Sequence, residues 1–181
     1  MNRKDEILSK ISTISSMPPA AAEVARLLKD PEANIKSIVK AIEYDPGMAS
    51  NILRMANSAY YGFSGSIGSI RDAIVRLGTN SIFQMIVSWA FSPLAQQNLP
   101  GYALPAGQLW EHSIAVAVGA EQLAWDLNLK SPAQLFTAGL LHDIGKIALG
   151  KFVEVDIAPI LELVRHEQVS FEVAELEILG I

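Results

Sequence analysis

Residues 131–149 read SPAQLFTAGLLHDIGKIAL, and the fold class turns on this stretch. Ser131-Pro132 puts a proline at a helix start, where its missing N–H costs nothing. Leu135, Phe136, Leu140, Ile144 and Ile147 then recur at three- and four-residue spacing, the pattern of one buried helical face. The periodicity predicts one helix from Ser131 through Ile147, with His142 and Asp143 set into it.

Working outward, the same period recurs almost everywhere. Leu109 to Leu127 reads as one long helix rich in Ala and Gly, a composition suited to close packing. Asp156 to His166 and Ser170 to Leu179 read as two more. Before them, Gln96 to Gly107 is a Pro- and Gly-containing connector. On the N-terminal side, Ile7, Leu8, Ile11 and Ile14 share a face, which Met17-Pro18-Pro19 breaks. Ala20, Val24, Leu27 and Leu28 form a second face, closed by Asp30-Pro31. Asn34 is the expected N-cap of a third helix, and Asp45-Pro46 the cap and first position of a fourth, reaching Asn57. Residues 58–68, SAYYGFSGSIG, form a loop. Ser69 with Asp72 resembles a capping box for a short helix ending at Gly78 in the left-handed conformation. Thr79 or Asn80 starts the next helix, and Pro93 stops it. No alternating β-branched run is bounded by hairpin turns. The expectation is an all-α chain of about nine helices.

The chain has 181 residues, which fits one domain of 1–181 made of a helical part over 1–95, the connector 96–107 and a second helical part over 108–181. Half of its residues are hydrophobic and 18% are charged, too apolar for a disordered chain. A formal charge of −5 argues against non-specific nucleic-acid binding. With no cysteine, disulfides, thiolate metal sites and cysteine nucleophiles are excluded. The N-terminus MNRKDEILSK is charged, unlike a signal peptide. Leu77 to Trp110 is uncharged, but its apolar part, Ile82 to Phe91, is too short for a bilayer, which takes about 20 residues. A cytoplasmic location follows as the expectation.

The chemistry concentrates in one place. Of the three histidines, His112, His142 and His166, the first two with Asp143 give the order H…HD. Imidazole nitrogen and carboxylate oxygen suit Zn, Fe, Mn or Ni. One ion can be reached by all three if it sits over the seam between the helix of His112 and that of His142 and Asp143. Gly139 and Gly145 would let a second helix come close, and Lys146 lies one turn beyond His142. The plainer alternatives stand beside this. Each histidine can be a half-buried helix residue with one hydrogen bond. Asp143 and Lys146 can be an i,i+3 surface ion pair. His166 suits a helix C-terminus, where it favours the dipole.

The chain resembles the HDOD domain, the HD-related output domain of bacterial signalling proteins. The resemblance rests on Asp45-Pro46 with ASNILRMANSAYYG, on SIRDAIVRLG, on LWEHSIAVA and on AGLLHDIGKIAL, in that order. It implies an all-helical bundle whose second half is similar to the HD superfamily of metal-dependent phosphohydrolases. His112, His142 and Asp143 match that superfamily's first three ligand positions. Lys146 matches the lysine of the HDIGK segment in its cyclic-dinucleotide phosphodiesterase branch. The superfamily's last Asp lies further downstream, and HDOD proteins usually continue past ELEILGI, so the resemblance implies a chain cut short at its C-terminus and a divalent metal held at low occupancy. The N/O ligand set favours Fe or Mn over a structural zinc.

Two function classes follow. In the first, the chain is a regulatory output module without catalysis, acting through a protein or ligand. Its partner is a signalling protein or an attached receiver or cyclase-type domain, and it can pair as a homodimer. No membrane and no direct nucleic-acid contact enters this reading. Tyr60-Tyr61-Gly62-Phe63 and Leu77 to Trp110 are its candidate contact surfaces, with ordinary core as their plain alternative. In the second, the metal activates water and polarises a phosphoryl oxygen of a nucleotide or cyclic dinucleotide, with Lys146 stabilising phosphate charge.

Overall fold

The computed structural model describes residues 3–11, 17–62 and 65–180. Among these, the chain is all-α and carries no β-strand, only an isolated bridge between Leu99 and Leu104. The helices are α1 (Arg3–Ile11), α2 (Pro19–Lys29), α3 (Ile35–Glu43), α4 (Pro46–Ala56), α5 (Ile70–Ala95), α6 (Gln108–Asp126), α7 (Pro132–Leu141), α8 (Ile144–Glu167) and α9 (Phe171–Leu179). A 3-10 turn, Pro100–Tyr102, lies in the connector.

Short polar side chains start these helices where the sequence places them. Asn34 Oδ1 accepts from Ser37 N at 2.9 Å, and Asp45 Oδ1 from Met48 N at 2.9 Å. Ser69 Oγ accepts from Asp72 N at 3.0 Å, and Ser170 caps α9 through Val173 N at 3.4 Å. The loop after α4 is tied by Asn57, whose amide accepts from Ile67 N at 2.8 Å and donates to Ile67 O at 3.0 Å.

Several expectations are corrected. Gly78 does break the helix, but its φ of 79° and ψ of 166° lie in the extended region open only to glycine, not in the left-handed helical one. Pro93 does not stop α5, which runs on to Ala95. A proline removes one N–H and strains the preceding turn, and the helix ends only when the next residues fail to continue it. The helix expected from Ser131 through Ile147 ends at Leu141. His142 and Asp143 form a turn, and α8 begins at Ile144. Asp156 is a kink within α8, with φ −101° and ψ 15°, three residues before Pro159. A proline ring meets the carbonyl four residues back, here that of Val155, which forces the bend there. Leu8 is exposed while Ile7 is fully buried, so the α1 face is narrower than its spacing predicts. Ile14 and Phe63 lie outside the described residues.

The chain divides into two compact units built from interleaved segments. Unit 1 comprises 1–16, 94–113 and 141–181; unit 2 comprises 17–93 and 114–140. In unit 1, Ile7, Phe152, Val153, Ile160, Ala174 and Leu179 form the core, and α8 packs on α1, on α9 and on the 3-10 turn. That last contact is close: a Cβ on Gly101 would lie 2.6 Å from both Glu154 N and Gly150 O. In unit 2, Val24, Ile42, Met48, Ile52, Ile82 and Ile86 are among the core residues, with α3 packed on α2 and α4. Much of the uncharged segment is therefore core, since Ile82, Met85, Ile86, Val87 and Phe91 are all buried.

Candidate metal centre

Every residue of the centre belongs to unit 1. His112 stands in the second turn of α6, between buried Leu109 and buried Ser113. Its own side chain is about half exposed. His142 and Asp143 follow buried Leu140 in the turn between α7 and α8. A turn frees two adjacent side chains from the 100° separation of a helix. They can then converge more readily than in the continuous helix expected from the sequence.

Asp143 shows what the site asks of it. It occupies the N-cap position of α8, yet its side chain makes no capping bond. Asp45, in the same position on α4, does cap. Forgoing a cap costs about 1 kcal/mol. The Asp143 carboxylate is instead turned to the site. Its Oδ2 lies 2.6 Å from Lys146 Nζ, 3.4 Å from His142 Nε2 and 3.7 Å from His112 Nε2. The two Nε2 atoms are 3.2 Å apart. The expected i,i+3 ion pair therefore exists, within the cluster rather than apart from it.

These three donor atoms form a nearly equilateral triangle. A point roughly 2 Å from each corner exists, which matches the ~2.0–2.2 Å bonds that imidazole and carboxylate make to a first-row divalent ion. The donor set fits such an ion. Side-chain exposures of 54%, 36% and 19% for His112, His142 and Asp143 leave the outer side of the triangle open to solvent. Among the described residues, these are the side chains of metal-ligating type that converge in this way.

Two neighbours had no local signal in the sequence. Tyr102 of the 3-10 turn donates its hydroxyl to Glu175 Oε1 of α9. Burial, then the Glu175 hydrogen bond and the charges of Glu175 and Asp143, hold the Tyr102 phenol well above its usual range. The charge of Lys146 contributes, behind local hydrogen bonds, to holding the Glu172 carboxyl low. An acidic side of α9 thus stands within electrostatic reach of the centre. His166 is elsewhere, in the last turn of α8, 4.0 Å from Glu162. Gly139 does admit a close approach: a Cβ there would lie 2.9 Å from Ala117 Cα of α6. Gly145 does not; nothing lies within 4 Å of where its Cβ would be.

An all-helical chain that gathers two histidines and an aspartate in the order H…HD defines the class of HD-type helical domains. The HDOD domain model matches residues 14–181, and the chain belongs to the HDOD family. The chain is similar to the crystal structure of an HDOD domain protein from Geobacter sulfurreducens, at 27% identity and a TM-score of 0.74 over 98% of this chain and 59% of that one. It is equally similar to a candidate phosphohydrolase from Shewanella amazonensis SB2B, at 26% identity and a TM-score of 0.74 over 96% of this chain and 61% of that one. A Treponema pallidum (strain Nichols) protein is 24% identical over 144 residues, 78% of this chain and 27% of the relative. The chain thus spans about a quarter of that relative and about three fifths of the two solved chains.

Proposed function

We propose that this chain is a regulatory output module of bacterial signalling that holds one divalent ion at His112, His142 and Asp143 and acts by binding rather than by turnover. The observation that carries this reading is Asp143. Its carboxylate gives up a helix cap and converges with two imidazoles, yet the convergence stops at three protein donors among the described residues. Three N/O donors on an open face suit Fe or Mn over a structural zinc, which prefers a closed set of four. When bound, the ion would supply Lewis acidity at the open face. Lys146 balances the Asp143 charge and keeps its carboxylate oriented toward both rings. The output passes to a signalling protein or to an attached receiver or cyclase-type domain, in the cytoplasm. Among the described residues, no helix is long and apolar enough to cross a membrane.

A second reading has its own support. Lys146 stands beside the open face, where it could meet a phosphate, and the Shewanella structure is described as a candidate phosphohydrolase. One experiment separates the two. The chain is purified without added metal, beside His112→Ala and His142→Ala. Metal content is measured by elemental analysis, and hydrolysis of bis(4-nitrophenyl) phosphate and of cyclic dinucleotides is assayed with added Mn. The expected result is Fe or Mn in the wild type, lost in both variants, with no hydrolysis above the metal blank. Hydrolysis that disappears in both variants would move the chain to the enzyme class. No metal in any form would overturn the metal reading.

A further inference from the structure

Unit 2 contains a cleft of about 350 Å3 that shares no residue with the metal centre. This is within the usual size range of small-molecule pockets, about 300–1,000 Å3. Its walls are the half-buried Met55, Tyr61, Ile114 and Val118 and the buried Phe136. Ser88 also lines it and is 1% exposed, and its Oγ has no hydrogen-bond partner. A buried hydroxyl left unpaired costs about 1–3 kcal/mol, so it is retained only where something offsets the cost. At the exposed edge stand Arg54, Ser58 and Tyr60. The Arg54 guanidinium bonds to Asn51 Oδ1 at 2.5 Å, a neutral amide, and makes no bond to a carboxylate among the described residues. Its charge is left for another partner.

The aromatic wall is fixed in advance. Tyr60 donates its hydroxyl to Glu121 Oε2 at 2.7 Å, and Gln84 donates to Glu121 Oε1 at 2.7 Å. The Tyr60 and Tyr61 rings meet edge to face, with centroids 4.9 Å apart. Both oxygens of Glu121 are thereby engaged, and the wall loses little freedom when a molecule enters.

We infer that this cleft binds a small organic acid whose apolar body packs against Met55, Ile114, Val118 and Phe136, with a hydroxyl that pairs with Ser88 Oγ and a carboxylate that meets Arg54. This goes beyond the metal reading and depends on none of its residues. The test is a titration of the full chain, labelled with 13C at its methyl groups, with three probes. These are 4-hydroxyphenylacetate, phenylacetate, which lacks the hydroxyl, and 4-hydroxyphenylethanol, which lacks the carboxylate. The expected result is saturable shifts at the methyls of Met55, Ile114 and Val118, with the hydroxy acid bound about five- to tenfold more tightly than either analogue, the worth of one hydrogen bond or exposed ion pair. Ser88→Ala then abolishes the preference over phenylacetate, and Arg54→Gln abolishes the preference over the alcohol. Val118→Phe, which fills the cleft, abolishes all three sets of shifts while circular dichroism stays unchanged. The same titration on His142→Ala gives wild-type affinities. Absence of saturable shifts, or preferences that survive both Ser88→Ala and Arg54→Gln, overturns the inference.

Discussion

A phenol that already donates to a carboxylate has little to gain by losing its proton. Tyr102 and Tyr60 are both in this position, each raised first by burial and then by its bond to Glu175 or Glu121. Tyr61 is pushed up to about 12, by burial and then by the Glu121 charge. In the unfolded chain, tyrosine ionises near pH 10. Above that pH the folded chain holds protons that the unfolded chain has released, so rising pH favours unfolding. The stability these residues contribute is complete below about pH 10 and is lost from there through the folded value, about 12 for Tyr61. Titrated at 295 nm beside circular dichroism, the four tyrosines should not all ionise until helicity falls. Full ionisation centred near pH 10 with intact helices would contradict the arrangement. At this scale the sequence is uneven as a guide. The caps Asn34, Asp45 and Ser69 are legible because each bonds a backbone N–H three residues on. Tyr60 with Glu121 and Tyr102 with Glu175 are not, because 61 and 73 positions separate the partners.

Helix joints, more than helix lengths, decide where the chemistry falls. Apolar spacing carries straight across Leu140, Ile144 and Ile147, so it shows a buried face without showing that the backbone turns at His142-Asp143. The kink at Asp156 was legible only as a helix start, because a proline four positions after Val155 bends a helix without ending it. Close approaches are different again, since they follow from the partner element. Gly101 has its Cβ position 2.6 Å from backbone atoms of α8, and Gly139 has its own 2.9 Å from the backbone of α6. Backbone cannot step aside as a flexible side chain can. Gly101→Ala and Gly139→Ala should each destabilise the chain by about 1–3 kcal/mol or more, the usual cost of overpacking. Gly119, in the middle of α6 with nothing within 4 Å, is the comparison. Gly119→Ala should stabilise by about 0.5–1 kcal/mol, because alanine loses less backbone freedom in a helix. Urea unfolding of the three variants checks both signs. Equal effects at Gly101 and Gly119 would mean that the 3-10 turn does not lie against α8 as closely as described.

Across the whole molecule, the candidate metal centre joins distant parts of the chain. Unit 1 is assembled from three separate segments, and two of them supply the donors: 94–113 brings His112, and 141–181 brings His142 and Asp143. The two histidines are 30 positions apart. An ion bound by both would act as a cross-link, closing that loop in the folded state only. Anything that binds the folded chain and not the unfolded one stabilises it, by about 2.7 kcal/mol at a hundredfold excess over Kd. For a chain of this size, that corresponds to a rise in Tm on the order of 5–10 °C. Mn added to metal-free protein should therefore raise Tm in a concentration-dependent way, and EDTA should reverse it. His142→Ala should abolish the rise, since two remaining donors cannot hold the ion across the gap. Hydrogen exchange locates the effect. Amides at the start of α6 and through residues 141–147 should gain protection, because they hold the donors. Those of α2 and α3, which supply none, serve as the comparison. An equal Tm rise in His142→Ala would place the ion elsewhere, and the triangle of His112, His142 and Asp143 would then be a polar contact between segments rather than a site.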